Sequence, residues 1–274
     1  MRYPSSLLLF ALIGRLSLSA AETPLTGRAA ELYKQAQGGK FSADAAKLKP
    51  EILPTSDGQC FLVVWRATNA PKYWIVSMHG KQGFATDDLA LWHRHLKDCD
   101  VGLVCVQWWL GSGNEPASYY TPEQAHREID LALKKLGAQT NSVMFHGFSR
   151  GSANSYAVVA LDAGRDGKHF FSLAVASSGG VGLDYPPTRA ILNGDFGPRP
   201  LQGTRWITVA GGRDPNPERD GIPGMKRAAA WLKEQGATVV LTIEDPEEGH
   251  GALQRNPKNV RRVLDLFFQA NQSR

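Results

Sequence analysis

Three observations predict an α/β fold with a mostly parallel sheet and helices on both faces. From about residue 60 onward, short apolar runs alternate with stretches of helical period. Those runs are apolar almost throughout, as strands covered on both sides require. Neither an internal repeat nor a low-complexity linker breaks the pattern, so residues 22–274 read as a single domain. The chain of 274 residues is 42% hydrophobic and 21% charged, enough to bury a core. That balance excludes a disordered, collagen-like or coiled-coil protein. The net charge is +5, or +3 once Arg2 and Arg15 of the leader described below are set aside. Such a surplus, with no cluster of Lys and Arg, argues against a nucleic-acid partner.

The elements follow in order. Phe61 to Trp65 and Trp74 to Met78 read as strands, and Thr86 as the cap of a helix with Leu89, Trp92 and Leu96 on one face. Val101 to Trp108 is the next strand. Thr121-Pro122-Glu123-Gln124 is a capping box with Pro at the first helical position; Ala125, Ile129, Ala132, Leu133 and Leu136 form the stripe behind it. Val143 to Phe145 is a short strand followed by a helix up to Leu161. Phe171 to Ala176 and Trp206 to Ala210 are strands. Met225, Ala228, Ala229 and Leu232 mark a helix, Thr238 to Ile243 the last strand, and Asn256-Pro257 the start of the final helix. Residues 109–120 and 177–205 lack helical period, and both follow the carboxyl end of a strand, where open α/β sheets bind ligands.

The N-terminus reads as an export signal. Arg2 precedes an apolar run, Ser5 to Gly14, about half the roughly 20 residues of a membrane span, and Ser19-Ala20-Ala21 offers small residues for cleavage before Glu22. Residues 1–21 are therefore expected to be removed. The mature protein is expected in the periplasm or the medium, without a membrane span. Cys60, Cys99 and Cys105 permit at most one internal disulfide and include no CxxC pair, so a disulfide scaffold or zinc cluster is not expected.

Gly147-Phe148-Ser149-Arg150-Gly151 fits the G-x-S-x-G nucleophile elbow, with a strand just before it and an apolar helix just after. A serine hydroxyl needs a base, and the base an orienting acid. Asp214 follows the strand ending at Ala210 and the turn Gly211-Gly212-Arg213. His250, in Gly249-His250-Gly251, follows the last strand. Ser149, Asp214 and His250 thus lie on loops beyond carboxyl ends of strands. Asp220 is the rival acid, disfavoured because a carboxylate is expected at a helix start anyway. His146 at the end of a buried strand reads as structural, and His93 and His95 point to different sides of a helix. No metal site is expected.

Met78-His79-Gly80-Lys81-Gln82-Gly83 turns sharply after a strand, so the amides of Lys81 and Arg150 are candidate oxyanion donors. Trp108, Trp109, Tyr119 and Tyr120 have two open readings: they line the substrate site, or they pack their loop against the sheet.

On the elbow at Ser149, His79-Gly80, Asp214 and His250, residues 58–270 resemble the α/β-hydrolase superfamily. Within it they look like secreted esterases of the dienelactone-hydrolase and polyhydroxybutyrate-depolymerase type. The resemblance implies an eight-stranded, mostly parallel sheet, an acyl-serine intermediate and no cofactor. The expected partner is a small-molecule or polymer-attached ester, and the expected site is open, without a large lid domain. A serine peptidase of the prolyl-oligopeptidase type uses the same residues but usually carries a propeller domain. A non-catalytic binding protein on the same fold usually lacks one of the three.

Overall fold

The computed structural model describes residues 24–164 and 166–272; the expected leader, residues 1–21, lies outside them. Two helices come first, α1 (Gly27–Ala36) and α2 (Ser42–Lys47), then strand β1 (Glu51–Pro54). None of these was marked by the apolar pattern, because β1 is a short edge strand and the helices bury only a few small residues and Leu32. The remaining elements are β2 (Phe61–Arg66), β3 (Tyr73–Met78), α3 (Ala85–His93), β4 (Val101–Val106), α4 (Pro122–Lys135), β5 (Val143–Phe148), α5 (Arg150–Ala163), β6 (Phe171–Ser177), α6 (Pro186–Asn193), β7 (Arg205–Gly211), α7 (Ile222–Glu234), β8 (Thr238–Asp245) and α8 (Pro257–Gln272).

Among the described residues eight strands form one sheet in the order β1-β2-β4-β3-β5-β6-β7-β8. A short turn joins β1 to β2, so that pair can be antiparallel, as is β2 with β4. From β4 to β8 each pairing is parallel, and a parallel return needs a crossover, which the helices supply. Every residue of β3 and β4 is buried, and Trp74, Trp92, Trp108 and Trp206 are among the largest fully buried side chains. Burying a large apolar side chain contributes about 1.5–3 kcal/mol, so these layers hold the frame that carries the loops. No helix of the described residues is long and apolar enough to cross a membrane.

The chain runs from β3 outward to β4 and then returns to the opposite side of β3 as β5. At such a reversal the loops leaving two neighbouring strands diverge and open a crevice at their carboxyl ends. Met78 pairs with Gly147 there, which sets the loop after β3 beside the turn after β5.

Four local expectations are corrected. The strand expected to reach Trp108 ends at Val106, while that expected to stop at Phe145 runs on to Phe148. Residues 177–205 contain α6, a helix opened by two prolines that buries Pro187, Thr188 and Ile191. Helix α3 starts at Ala85, and its cap is not Thr86. The Ala85 amide donates instead to Gln107 Oε1 at 3.0 Å, a side chain arriving from beyond β4. The capping box of α4 forms as expected. Cys60, Cys99 and Cys105 are all free thiols, and burial pushes Cys60 up to about 12, beyond ready ionisation.

Candidate active site

Ser149 stands between β5 and α5 with φ +54° and ψ −117°, a conformation that costs a non-glycine residue of order 1–3 kcal/mol. The surroundings enforce it. Ser149 N–H donates to Ser177 O at 2.8 Å, and the start of α5 is pressed onto β3. A Cβ on Gly151 would lie 2.2 Å from Met78 O, so only glycine admits that approach. Although Ser149 is the N-cap of α5, its side chain makes no capping bond. Its hydroxyl is left for the crevice.

His250 enters from the loop after β8, with Nε2 2.8 Å from Ser149 Oγ. Its Nδ1 lies 2.7 Å from Asp214 Oδ2, and the Asp214 side chain is fully buried. Asp214 Oδ1 accepts the Asn216 amide at 2.8 Å. An ionised carboxylate only accepts, so Nδ1 carries the proton and the Nε2 lone pair faces the serine hydroxyl. The rival acid, Asp220, is held by Arg219 through a fork of charge-assisted bonds as short as 2.6 Å. Asp214, Asp220 and His250 are also the one set of His, Cys or carboxylate groups among the described residues close enough to share a metal ion, with donor atoms within 4.8 Å. His250 and Asp214 already satisfy each other there.

The loop after β3 packs directly on the serine. A Cβ at Gly80 would come within 3.1 Å of Ser149 Cβ and of the Phe148 ring. Gly80 O accepts from His79 Nδ1 at 2.8 Å and from the Gly83 amide at 3.2 Å. A trans peptide then points the Lys81 N–H the opposite way. Arg150 is the first residue of α5, and the first amides of a helix have no acceptor within it. Gln107 holds this loop from below: Oε1 takes the Ala85 amide, and Nε2 donates to Trp109 O at 2.9 Å and Gly83 O at 3.5 Å. Tyr119 Oη accepts the Gln82 amide at 3.0 Å.

Ser149, His250, Gly80 and Lys81 open into a cleft of about 1290 Å³. Its wall also includes Lys40 and Phe41, from the segment between α1 and α2, and Arg94 and Arg255. No local motif marks these four. Lys40, Phe41 and Arg94 reach the site through tertiary contacts, such as the Phe41 amide donating to Asp87 Oδ1 at 2.7 Å. The candidate lining aromatics Trp108, Trp109, Tyr119 and Tyr120 do not line this cleft. Trp109 and Tyr119 pair as an antiparallel bridge. All four are largely buried; the Trp108 and Tyr119 rings meet at a tilt with centroids 4.7 Å apart, and Tyr120 Oη donates to Asp57 at 2.6 Å. Trp108, Tyr119 and Tyr120 instead face a separate cavity of about 90 Å³, together with Arg150 and Tyr185.

A second serine, histidine and aspartate meet beneath the cleft. Ser77 Oγ donates to Asp88 Oδ2 at 2.6 Å and lies 2.9 Å from His146 Nδ1. The Trp92 indole N–H points at the same His146 nitrogen and at Ser77, 3.2 Å from each. An indole can only donate, so His146 Nδ1 accepts and Nε2 carries the proton. Burial lowers His146 to about 3 and raises Asp88 to about 7. His79 is likewise held near 4 by burial.

Neither the family models nor the curated proteins compared with the sequence give a match. Solved structures do. The hyperthermophilic esterase from Pyrobaculum calidifontis superposes with a TM-score of 0.60 at 15% identity, covering 89% of this chain and 92% of that one. Acyl-protein thioesterase 2 from Zea mays gives 0.55 at 17% identity, over 76% and 98%. A phospholipase/carboxylesterase from Dyadobacter fermentans gives 0.53 at 16%, over 76% and 95%. Likeness at such identity concerns the path of the backbone. Together with the sheet order and the serine turn at its reversal, it establishes that the chain has the α/β-hydrolase fold, with no large lid domain among the described residues.

Proposed function

We propose that this protein is a serine hydrolase that cleaves carboxylic esters through an acyl-serine intermediate. The observation that carries the reading is the unbroken relay from Ser149 Oγ to His250 Nε2 at 2.8 Å and from His250 Nδ1 to Asp214 at 2.7 Å. Ser149 Oγ attacks the ester carbonyl while His250 takes its proton, and Asp214 holds the ring in the required tautomer and stabilises the imidazolium. The carbonyl oxygen becomes an oxyanion facing the amides of Lys81 and Arg150; one such donor typically contributes about 3 kcal/mol. His250 then gives its proton to the departing alcohol. Water, deprotonated by the same ring, attacks the acyl-serine and releases the acid.

The esterase and thioesterase neighbours support this reading at the level of the fold. The finer reading is an exported esterase of the dienelactone-hydrolase and polyhydroxybutyrate-depolymerase type. It rests on the motif resemblance and on the leader-like residues 1–21. An ester panel run on the purified protein, with fluorophosphonate labelling read by mass, tests the chemistry. Ester turnover and a single adduct on Ser149 are expected; an unlabelled Ser149 with no turnover would overturn the proposal. N-terminal sequencing of the protein recovered outside the cytoplasm tests export, with Glu22 as the expected first residue.

A further inference from the structure

We propose that the cleft beside Ser149 selects esters whose alcohol part carries a carboxylate, gripped by the side chains of Arg255 and Lys81. The inference takes its reaction from the serine-hydrolase reading, but the anion site itself is a matter of binding.

The cleft is rich in cations, and most of its negative charge is already engaged. Of the basic side chains on its wall, Arg219 is tied to Asp220 and Arg94 to Asp44. Burial raises the Asp87 carboxyl above its usual range, and Lys40 lies close enough to oppose part of that rise. Lys81 and Arg255 make no ion pair among the described residues. On the acidic side, Asp87 accepts the backbone amide of Phe41, and burial keeps Asp88 near 7 and so largely protonated below neutrality. Two uncommitted cations therefore face the crevice without a counter-charge of their own.

Their position relates to the reaction. Arg255 lies across Gly251, the residue after His250: a Cβ there would meet Arg255 Nε at 2.8 Å. The Arg255 side chain thus packs over the segment that carries His250, the ring that hands its proton to the departing alcohol, and both residues line the cleft. Lys81 extends from the loop whose amide faces the carbonyl oxygen. A carboxylate on the alcohol side would sit between the two, with the planar guanidinium able to meet both of its oxygens. Desolvating either cation is avoided, because both remain exposed at the rim.

The test compares 4-acetoxybenzoate with its neutral isostere 4-acetoxybenzamide. Both are titrated calorimetrically into the Ser149→Ala protein, and both are assayed as substrates of the wild type. We expect the anion to bind at least about tenfold more tightly, a preference that shrinks as salt rises from about 20 to about 500 mM. Arg255→Gln and Lys81→Gln, added to Ser149→Ala, should each remove most of that preference. Equal or tighter binding of the amide sinks the proposal, as does a preference that survives the double replacement or high salt. A binding preference without wild-type turnover of either ester would uphold the anion site and defeat the hydrolase reading instead. Turnover of both esters with no binding preference would do the reverse.

Discussion

Two clusters in this molecule contain the same three residue types, and they differ in what each atom is left free to do. At the rim, His250 stands between Ser149 and Asp214 and has one nitrogen for each. Beneath it, Ser77 stands in the middle: its proton goes to Asp88, and the His146 nitrogen it faces is also claimed by the Trp92 indole. Burial then pushes His146 down to about 3, too weak a base to take a proton near neutrality. The rim histidine is partly exposed and reaches a cleft of about 1290 Å³, whereas Ser77 and His146 have no exposed surface. Residue identity does not separate these two serines. The order of the hydrogen bonds and access to a ligand do.

The contrast is tested most severely at the two serines. Ser149→Ala should lower ester turnover on the order of 10⁵-fold or more and abolish fluorophosphonate labelling. Ser77→Ala should keep both while losing about 1 kcal/mol of stability, measured by chemical denaturation. Labelling that disappears in the Ser77 variant alone would exchange the roles of the clusters.

The acids come next. Asp214→Asn should reduce kcat by about 10⁴-fold, through the wrong tautomer of His250. Asp220→Asn should cost less than about tenfold, since its carboxylate is spent on Arg219. Steady-state kinetics of the pair decides between them, and a larger loss at Asp220 would reassign the acid. Gly80→Ala should follow, with about a 10²-fold loss of kcat/KM as the new methyl presses on Ser149 Cβ and displaces the reacting groups.

The smallest effects are on stability against pH. His146 and His79 are held near 3 and near 4 in the fold, below the usual 6.5 of an unfolded histidine. Their depressed values mean that stability is intact above 6.5 and is lost as pH falls, by up to roughly 1.4 kcal/mol per unit for each ring. Asp88 runs the opposite way. Raised from 3.8 to about 7, it contributes most below 3.8 and loses that contribution as pH rises through 7. The melting-temperature gain of Asp88→Asn over wild type should therefore grow between about pH 4 and pH 7 and then level off. A gain that shrinks over that interval would contradict a buried, protonated Asp88.

Much of this arrangement is legible in the sequence because strands covered on both faces leave unbroken apolar runs. The elbow glycines around Ser149 and the order Ser149, Asp214, His250 are equally visible. What stays hidden is set by partners remote in the chain. The cap of α3 is supplied by Gln107, 22 positions away, so Thr86 offers a plausible but wrong signal. The bridge between Trp109 and Tyr119 folds back the loop that carries four aromatic rings, and no spacing rule reports it. The inner cluster joins Ser77 to His146 across 69 positions, a pairing that only adjacent β3 and β5 create. Lys40 and Phe41 reach the cleft wall by the same kind of tertiary accident of folding, through Asp87.

One carboxamide has a consequence larger than its size. Gln107 fastens the end of β4, the first turn of α3 and the segment carrying Gly80 and Lys81 with a single buried side chain. The stretch that carries the Lys81 amide is thus fixed by contacts within the fold. A reaction there would begin with its electrostatic environment already assembled, leaving none of the substrate's binding energy to be spent on ordering that stretch of backbone.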